Sequence, residues 1–254
     1  MRRLLLVVAG ALGVGACMVQ HGENHGNDVA GLPLIEIPAA GSDSLLAILI
    51  TGDGGWAAAD RGLSASLAAH GVPVVALDAP RYLTSARTPD QSARDMTRII
   101  QHYFSAWQRN RVVVIGYSRG ADIAPFMVAR LPDELRRRVA LVALLGPSSW
   151  VGFEYHIVDL VTNIHRAGDL PVLPEIERLS GTPMLCIYGR RDRHTICPEL
   201  DPSVARPVMR EGGHAIRGVE GSALADTILQ AAQPQRRGLA ARVMAFGVER
   251  KSTR

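Results

Sequence analysis

Apolar residues along the chain fall into short unbroken runs that are separated by segments with helical spacing. The runs cover residues 45–50, 72–77, 111–115, 139–145 and 184–188. Unbroken runs of this length are typical of strands that are buried on both faces of a sheet. Between them, apolar positions recur every three or four residues, which predicts helices, in segments 60–69, 89–109 and 118–130. The alternation indicates a mostly parallel, doubly wound α/β sheet flanked by helices.

Three further segments complete this pattern, and a fourth interrupts it. Residues 34–37 predict a leading edge strand, 204–209 the last strand, and 222–232 the last helix. Segment 148–179 places aromatic residues and several prolines between two predicted strands. It is a candidate lid, and a surface connection with one helix is the alternative.

Size and charge narrow the class of protein. The chain has 254 residues, of which 47% are hydrophobic, and this balance excludes a disordered chain or a polytopic membrane protein. We expect one large domain over residues 32–234. The net charge of +4 includes Arg2 and Arg3, so the remaining residues carry +2. That excess is too small to indicate nucleic-acid binding.

Residues 1–17 have the form of a lipoprotein-type signal peptide. Arg2 and Arg3 precede an uncharged stretch that stops at Cys17. The segment Val14-Gly15-Ala16-Cys17 resembles a bacterial lipobox, in which the cysteine is acylated and becomes the new N-terminus. A plain signal peptide is one alternative, and a permanent span is another, although a span needs about 20 apolar residues. The leader predicts export and a membrane tether through Cys17.

The segments that flank the domain differ in composition from it. Residues 18–31 are rich in Gly, Asn and His and predict a flexible linker, in which His21 and His25 lack the partners of a metal site. Residues 235–254 form a basic tail. This tail either contacts anionic lipid headgroups or remains a solvated terminus.

Two other cysteines bracket a short loop. Cys186 and Cys197 enclose residues 188–196, and in an exported protein such a pair predicts a disulfide that closes the loop. Two buried free thiols are the alternative.

One sequence motif predicts a nucleophilic serine. Gly116-Tyr117-Ser118-Arg119-Gly120 follows a predicted strand and precedes a predicted helix, which is the setting of a nucleophile elbow. The two glycines allow the sharp turn, because a Cβ at either position would collide with neighbouring backbone. Ser118 is therefore the predicted nucleophile.

A serine hydroxyl needs a base that is oriented by an acid. Asp192 follows the predicted strand 184–188, and His214 follows the last strand after two glycines. The order Ser, Asp, His along the chain is that of α/β-hydrolases. His194, close to Asp192, is the competing base.

The loop after the first long strand is the predicted oxyanion loop, with backbone N–H groups of Asp53 and Arg119 as donors. A carboxylate beside the nucleophile favours a cationic acyl group. Alternatively, Asp53 caps the following helix or pairs with Arg119. Gly54, Trp56 and Asp122 are further candidate substrate-binding residues. No metal or organic cofactor is indicated, and the loop lacks the Gly-Lys-Ser/Thr ending of a P-loop.

These motifs together resemble one family. Gly52-Asp53-Gly54-Gly55-Trp56, Gly116-Tyr117-Ser118-Arg119-Gly120-Ala121-Asp122, the cysteine bracket and Gly213-His214 are similar to the VirJ/AcvB family of bacterial virulence proteins over about residues 45–232. That family is periplasmic and has an α/β-hydrolase domain, and its AcvB members are associated with hydrolysis of lysyl-phosphatidylglycerol.

The resemblance implies an exported serine hydrolase that acts on aminoacyl esters of membrane phospholipids. Arg119 or the arginines of the Asp192 loop are candidates for binding the lipid phosphate, and Asp53 or Asp122 for binding the substrate ammonium. Envelope or secretion-system proteins are candidate partners. Two alternatives remain open: a general esterase or lipase, and a secretion-accessory binding protein on a hydrolase scaffold.

Overall fold

A seven-stranded sheet forms the centre of the fold. In the computed structural model, residues 29–41, 44–156, 165–215 and 220–233 are described. Strand order across the sheet is β1-β3-β2-β4-β5-β8-β9. Only β1 runs antiparallel, at one edge, and the other pairs are parallel. The strands are β1 Leu34–Ile37, β2 Leu45–Ile50, β3 Val74–Leu77, β4 Arg111–Tyr117, β5 Val139–Leu145, β6 Trp150–Val151, β7 Leu170–Pro171, β8 Met184–Gly189 and β9 Arg206–Arg210.

Helices cover both faces of this sheet. They are α1 Ala58–Ala69, α2 Ala79–Tyr82, α3 Pro89–Ala106, α4 Arg119–Ala129, α5 Asp133–Arg136, α6 Leu173–Glu177 and α7 Gly221–Ala232. On one face, Met96 of α3 and Phe126 of α4 belong to the first buried apolar cluster. On the other face, Leu67 of α1 and Ile228 of α7 belong to the second. The doubly wound sheet predicted from the apolar runs is confirmed.

Local sequence determines where the longest helix begins. Thr88 precedes α3, and its hydroxyl accepts a hydrogen bond from the backbone N–H of Gln91 at 3.1 Å. The Gln91 side chain accepts one from the Thr88 backbone N–H at 2.8 Å. This reciprocal pair is a capping box, and Pro89 at the first helical position has a φ angle that suits a helix start.

The segment between β5 and β8 contains a small antiparallel pair and a short helix. Strands β6 and β7 pair with each other, and α6 packs against α4. Arg130, directly after α4, donates to both carboxylate oxygens of the buried Glu175 in α6, at 2.7 and 3.0 Å. Residues 157–164 lie outside the described residues, so the lid remains a prediction.

The predicted leader (1–17), most of the predicted linker (18–31) and the basic tail (235–254) also lie outside the described residues. Their assignments and the boundaries of the 32–234 domain remain predictions. Within the described ranges, no helix combines the length and the apolarity that crossing a membrane requires.

The parallel direction of β2, β4, β5, β8 and β9 determines where chemistry can occur. Their carboxyl ends meet at one edge of the sheet, and the loops that carry the predicted functional residues leave the sheet there. Loops at this edge are the usual ligand-binding region of an open α/β sheet.

At Gly221, the packing of α7 against α1 leaves no space for a side chain. A Cβ at Gly221 would lie 2.6 Å from the carbonyl carbon of Gly62 in α1. Gly221→Ala should therefore lower the free energy of unfolding by about 1–3 kcal/mol, because α7 must shift. Urea denaturation measures this change. Ser222→Ala, at the next and exposed position, is the control, and equal stabilities for both variants would contradict the prediction.

Candidate active site

The turn from β4 into α4 holds Ser118 in a strained backbone conformation. Its φ angle is +52°, in a region that non-glycine residues seldom adopt. The Ser118 backbone N–H donates to the Leu145 carbonyl at 2.9 Å, which joins the turn to β5. A Cβ at Gly116 would overlap the Gly120 carbonyl, and a Cβ at Gly120 would overlap the Ile50 carbonyl. The need for both glycines, predicted from the motif, follows from these contacts.

The structure brings Ser118, His214 and Asp192 into one hydrogen-bonded line. Ser118 Oγ lies 2.9 Å from His214 Nε2, and His214 Nδ1 lies 2.8 Å from Asp192 Oδ2. A carboxylate accepts hydrogen bonds, so Nδ1 carries the proton and Nε2 can accept one from the serine hydroxyl. His194, the competing residue, instead donates its backbone N–H to Asp192 Oδ1 at 3.1 Å.

Exposure differs sharply along this line. The Asp192 side chain is 1% exposed, whereas the His214 side chain is 40% exposed. The buried carboxylate can orient the imidazole from the protein interior. The histidine and serine atoms that would react stay accessible to a substrate. Within the part of the chain that the structure describes, no group of three or more His, Cys, Asp or Glu side chains is placed to hold a metal ion.

A disulfide closes the loop that carries Asp192. Cys186 in β8 is bonded to Cys197, with a Cα–Cα distance of 5.5 Å, and the two residues are 11 positions apart. The predicted bond is confirmed, and the alternative of two free thiols is wrong. In the chain-entropy model, closing a loop of this length stabilises a fold by about 3 kcal/mol.

Arg210, the last residue of β9, holds the loop that carries His214. One guanidinium nitrogen donates to three successive carbonyls, those of Gly213, His214 and Ala215, at 2.8, 3.1 and 3.1 Å. The other terminal nitrogen pairs with Glu220 at 3.1 Å. Sequence reasoning missed this residue, because an arginine at a strand end is common and its partners are backbone atoms.

Gly146 is a second residue that sequence reasoning missed. It follows β5 with a φ of +65°, and a Cβ there would lie 3.0 Å from His214 Cε1 and 3.4 Å from Asp192 Oδ2. A side chain at this position would push the imidazole away from Asp192. The sequence feature that could have identified this position is a glycine that directly follows a buried strand and precedes a proline.

The predicted oxyanion loop runs directly beside the nucleophile. A Cβ at Gly52 would lie 3.0 Å from the Ser118 Cβ and 3.2 Å from the Tyr117 carbonyl oxygen. Gly54 is exposed, and Trp56 is half-buried against the apolar cluster of the α1 face. The contributions of these residues to an oxyanion hole or a substrate site remain predictions.

Asp53 forms an ion pair with Arg119, which was one of the alternatives left open by the sequence. The Asp53 carboxylate accepts from Arg119 Nε, and Arg119 Nη1 also donates to the Gly152 carbonyl at 3.1 Å. Helix α1 is capped instead by Asp60, whose carboxylate accepts from the Ala57 backbone N–H. A paired positive and negative charge therefore lies next to Ser118.

Asp122 is better explained as a structural residue than as the receptor for a substrate ammonium. Its carboxylate is buried, and its two oxygens accept from the Ser148 backbone N–H at 2.6 Å and from the Ser148 hydroxyl at 2.9 Å. Both oxygens are thus occupied by the loop that follows β5. Burial raises the pKa of Asp122 to about 7.

Fold and site together define the class of protein. An elbow serine after β4, an acid after β8 and a histidine after β9, on a helix-flanked parallel sheet, are the arrangement of α/β-hydrolase-fold proteins. The sequence model of the VirJ family of bacterial virulence proteins matches residues 44–236. The chain therefore belongs to the VirJ family. A comparison with curated protein sequences found no significant match.

Three of the solved structures with a similar fold come from three different organisms. Est1E from Butyrivibrio proteoclasticus is 13% identical, with a TM-score of 0.58 over 80% of this chain and 96% of that one. The Pyrococcus furiosus esterase Pf2001 is 14% identical, with a TM-score of 0.55 over 80% and 91%. TT1662 from Thermus thermophilus is 17% identical, with a TM-score of 0.53 over 81% and 95%. At these identities the likeness shows the fold alone.

The Arg210 contacts predict a change in local opening. Arg210→Met keeps a long apolar stem but removes the donors to three carbonyls. Hydrogen bonds from a charged group contribute about 1.5–3 kcal/mol each, so amide hydrogen exchange in residues 211–215 should accelerate by at least about tenfold. Hydrogen-exchange mass spectrometry measures this rate. Arg94→Met, at an exposed position of α3, is the control, and unchanged exchange in Arg210→Met would contradict the prediction.

The raised pKa of Asp122 predicts a pH dependence of stability. Between about pH 4 and 7 the unfolded chain is ionised at this residue while the folded chain stays protonated, because burial raises the pKa from 3.8 to about 7. Stability should therefore fall with rising pH, by about 1.4 kcal/mol for each pH unit between the two pKa values. Asp122→Asn, which does not titrate, should flatten this decline in urea denaturation.

Asp60 also contributes to the pH dependence of stability, because burial raises its pKa to about 6. Its contribution has the same sign and is present in both wild type and Asp122→Asn. The difference between the two stability curves therefore isolates Asp122. A decline in Asp122→Asn that is as steep as in wild type would overturn the assignment.

Proposed function

We propose that the protein is an exported serine esterase that hydrolyses aminoacyl esters of membrane phospholipids, such as lysyl-phosphatidylglycerol. The hydrogen-bonded line from Ser118 through His214 to Asp192 is the observation that carries the proposal, since it matches the geometry of an activated serine. Membership of the VirJ family and the resemblance to its AcvB members support the substrate class.

In the proposed mechanism, Ser118 Oγ attacks the ester carbonyl while His214 Nε2 takes the serine proton. The tetrahedral intermediate collapses, the ester C–O bond breaks, and His214 returns the proton to the glycerol oxygen of the leaving lipid. Asp192 holds the imidazole and stabilises its charged form. Water, activated by His214, then cleaves the acyl-serine and releases the amino acid. The backbone N–H groups of Asp53 and Arg119 are the proposed donors to the oxyanion in both steps.

The charges beside Ser118 suit a substrate that carries both signs. Lysyl-phosphatidylglycerol has an anionic phosphate on its leaving group and ammonium groups on its acyl group. Exchange of the Asp53–Arg119 pair for substrate contacts would place a carboxylate near the ammonium and a guanidinium near the phosphate. The two side chains are 20% and 12% exposed, so partial access to solvent already exists.

The path of the chain into the domain supports a membrane substrate. Leu34, the first residue of β1, pairs with Leu77 at the carboxyl end of β3, and the Asp78 N–H donates to the Pro33 carbonyl at 3.0 Å. The chain therefore enters at the same edge as Ser118. Residues 18–28, the part of the predicted 18–31 linker that precedes the described residues, span at most about 40 Å at ~3.5 Å per residue. A tether at Cys17 would keep this edge close to the bilayer and raise the effective concentration of a lipid substrate.

A general carboxylesterase is the second candidate. It is favoured by the similarity in fold to Pf2001 from Pyrococcus furiosus, which is an esterase. The same serine, histidine and aspartate would serve both functions. High turnover of neutral short-chain esters, with none of lysyl-phosphatidylglycerol, would identify this function.

The nucleophile is tested by release of free lysine from vesicles that contain lysyl-phosphatidylglycerol. Wild type should release lysine, and Ser118→Ala should reduce the rate by about a thousandfold or more, because no residual group forms the acyl intermediate. Mass spectrometry quantifies the lysine, and equal melting temperatures verify that the variant folds. Release at equal rates would exclude Ser118 as nucleophile. No release by either protein would favour another ester or an accessory binding protein.

The role of Asp53 is tested by comparing two substrates. Asp53→Asn removes the carboxylate with little change in shape, so kcat/KM for a lysyl ester should fall about tenfold more than for a neutral ester of similar size. Disruption of the Arg119 pair affects both substrates, and the ratio of the two losses removes that shared effect. Equal losses on both esters would eliminate Asp53 as the ammonium-binding residue.

A further inference from the structure

A cavity lies at the edge of the sheet opposite Ser118. It has a volume of about 450 Å³ and opens among the amino ends of β4, β5, β8 and β9 and the carboxyl end of α7. A volume in this range suits a small ligand. Because strands β4, β5, β8 and β9 are parallel, their amino ends are as far from the triad loops as the strand length allows. A ligand bound in this cavity would therefore be distinct from the ester substrate.

The lining of the cavity carries a concentrated positive charge. Four arginines contribute to it: Arg111, Arg137, Arg138 and Arg206. None of the described lining residues is an aspartate or a glutamate. Like charges gathered in one concave site repel one another, and a bound anion would relieve that repulsion. We call this site the arginine pocket.

Contacts within the fold use only part of the donor capacity of these arginines. Arg111 donates one hydrogen bond, to the Ala232 carbonyl at the end of α7, at 2.8 Å. Arg138 forms an exposed ion pair with Glu134 at 3.1 Å. Among the residues that the structure describes, no carboxylate is paired with Arg137 or Arg206. A guanidinium has five N–H donors, so most donors in the pocket are available to a ligand.

Two acidic residues lie beside the pocket: Glu134, which pairs with Arg138, and Asp201. Asp201 precedes the lining residues Pro202 and Ser203, and its carboxylate accepts from the Ser203 backbone N–H at 2.8 Å. It is not itself part of the lining. The four arginines of the lining still outnumber these two carboxylates, so the charge around the cavity is positive.

We propose that the arginine pocket binds a phosphate-bearing anion. Guanidinium groups match the paired oxygens of a phosphate with parallel hydrogen bonds, which a monovalent halide cannot reproduce. Arg111 and Arg206 lie at the ends of hydrogen-bonded strands, so their backbones are held rigidly around the cavity. A soluble phosphate compound and the headgroup of an anionic lipid both supply this chemistry, and the two sources are distinguished by experiment.

The first measurement is isothermal titration of inorganic pyrophosphate into the full chain carrying Cys17→Ser, which prevents an acyl tether from contributing. The double variant Arg137→Gln/Arg206→Gln should weaken binding by about a hundredfold, since each lost charge-assisted hydrogen bond accounts for about tenfold. Arg94→Gln, an exposed arginine of α3, is the matched control and should bind as wild type does. Arg206→Gln alone should give an intermediate affinity.

Competition with vesicles identifies the source of the phosphate. Binding to phosphatidylglycerol vesicles but not to phosphatidylcholine vesicles, reversed by pyrophosphate and lost in the double variant, would assign a lipid headgroup. Binding of pyrophosphate alone would assign a soluble compound. Absence of pyrophosphate binding at millimolar concentration, or equal affinity in the double variant and Arg94→Gln, would overturn the proposal.

These outcomes are independent of the proposed esterase. Ser118→Ala should bind pyrophosphate with wild-type affinity, because Ser118 lies at the opposite edge of the sheet. Likewise, a protein that hydrolyses no ester would still bind the anion. Melting temperatures of each variant, measured without pyrophosphate, separate a loss of affinity from a loss of folded protein.

Discussion

The contact between the turn after β4 and the end of β2 determines where the serine turn and helix α4 can lie. Gly120 lies against the Ile50 carbonyl, and Gly116 lies against Gly120, so neither position has space for a single additional carbon atom. This approach brings α4 onto the sheet, where most of its residues are buried. The burial of α4 offsets the strain at Ser118, whose φ is +52°. Loosening the contact would release the serine from the position at which His214 can reach it.

Each of the three loops at this edge is held in place by a different kind of interaction. Close backbone packing holds the serine turn, a covalent bond at Cys186 holds the loop of Asp192, and the guanidinium of Arg210 holds the loop of His214. The hydrogen-bonded line therefore depends on backbone positions that are determined before any substrate binds. Such preorganisation is what catalysis by fixed dipoles and positioned side chains requires.

Much of the fold follows from short-range patterns, whereas the supporting contacts do not. Apolar runs predict the parallel strands, although β3 begins at Val74 rather than at residue 72, since Pro73 contributes only its carbonyl to the pairing with β2. The serine motif is recognisable because strand, turn and helix are adjacent in sequence. The hydrogen bonds of Asp122 to Ser148 join residues 26 positions apart, and no spacing rule predicts them.

The bond between Cys186 and Cys197 makes the geometry of the site depend on the redox conditions under which the protein folds. Cytosolic thiols are kept reduced, so this loop closes only where an oxidant is present. Asp192 lies inside the closed loop, so the bond helps to fix its position behind His214. Before the bond forms, the loop of Asp192 lacks this covalent restraint, whereas the close packing of the serine turn does not depend on it. Formation of this bond, and with it the full restraint on the Asp192 loop, therefore requires an oxidising environment.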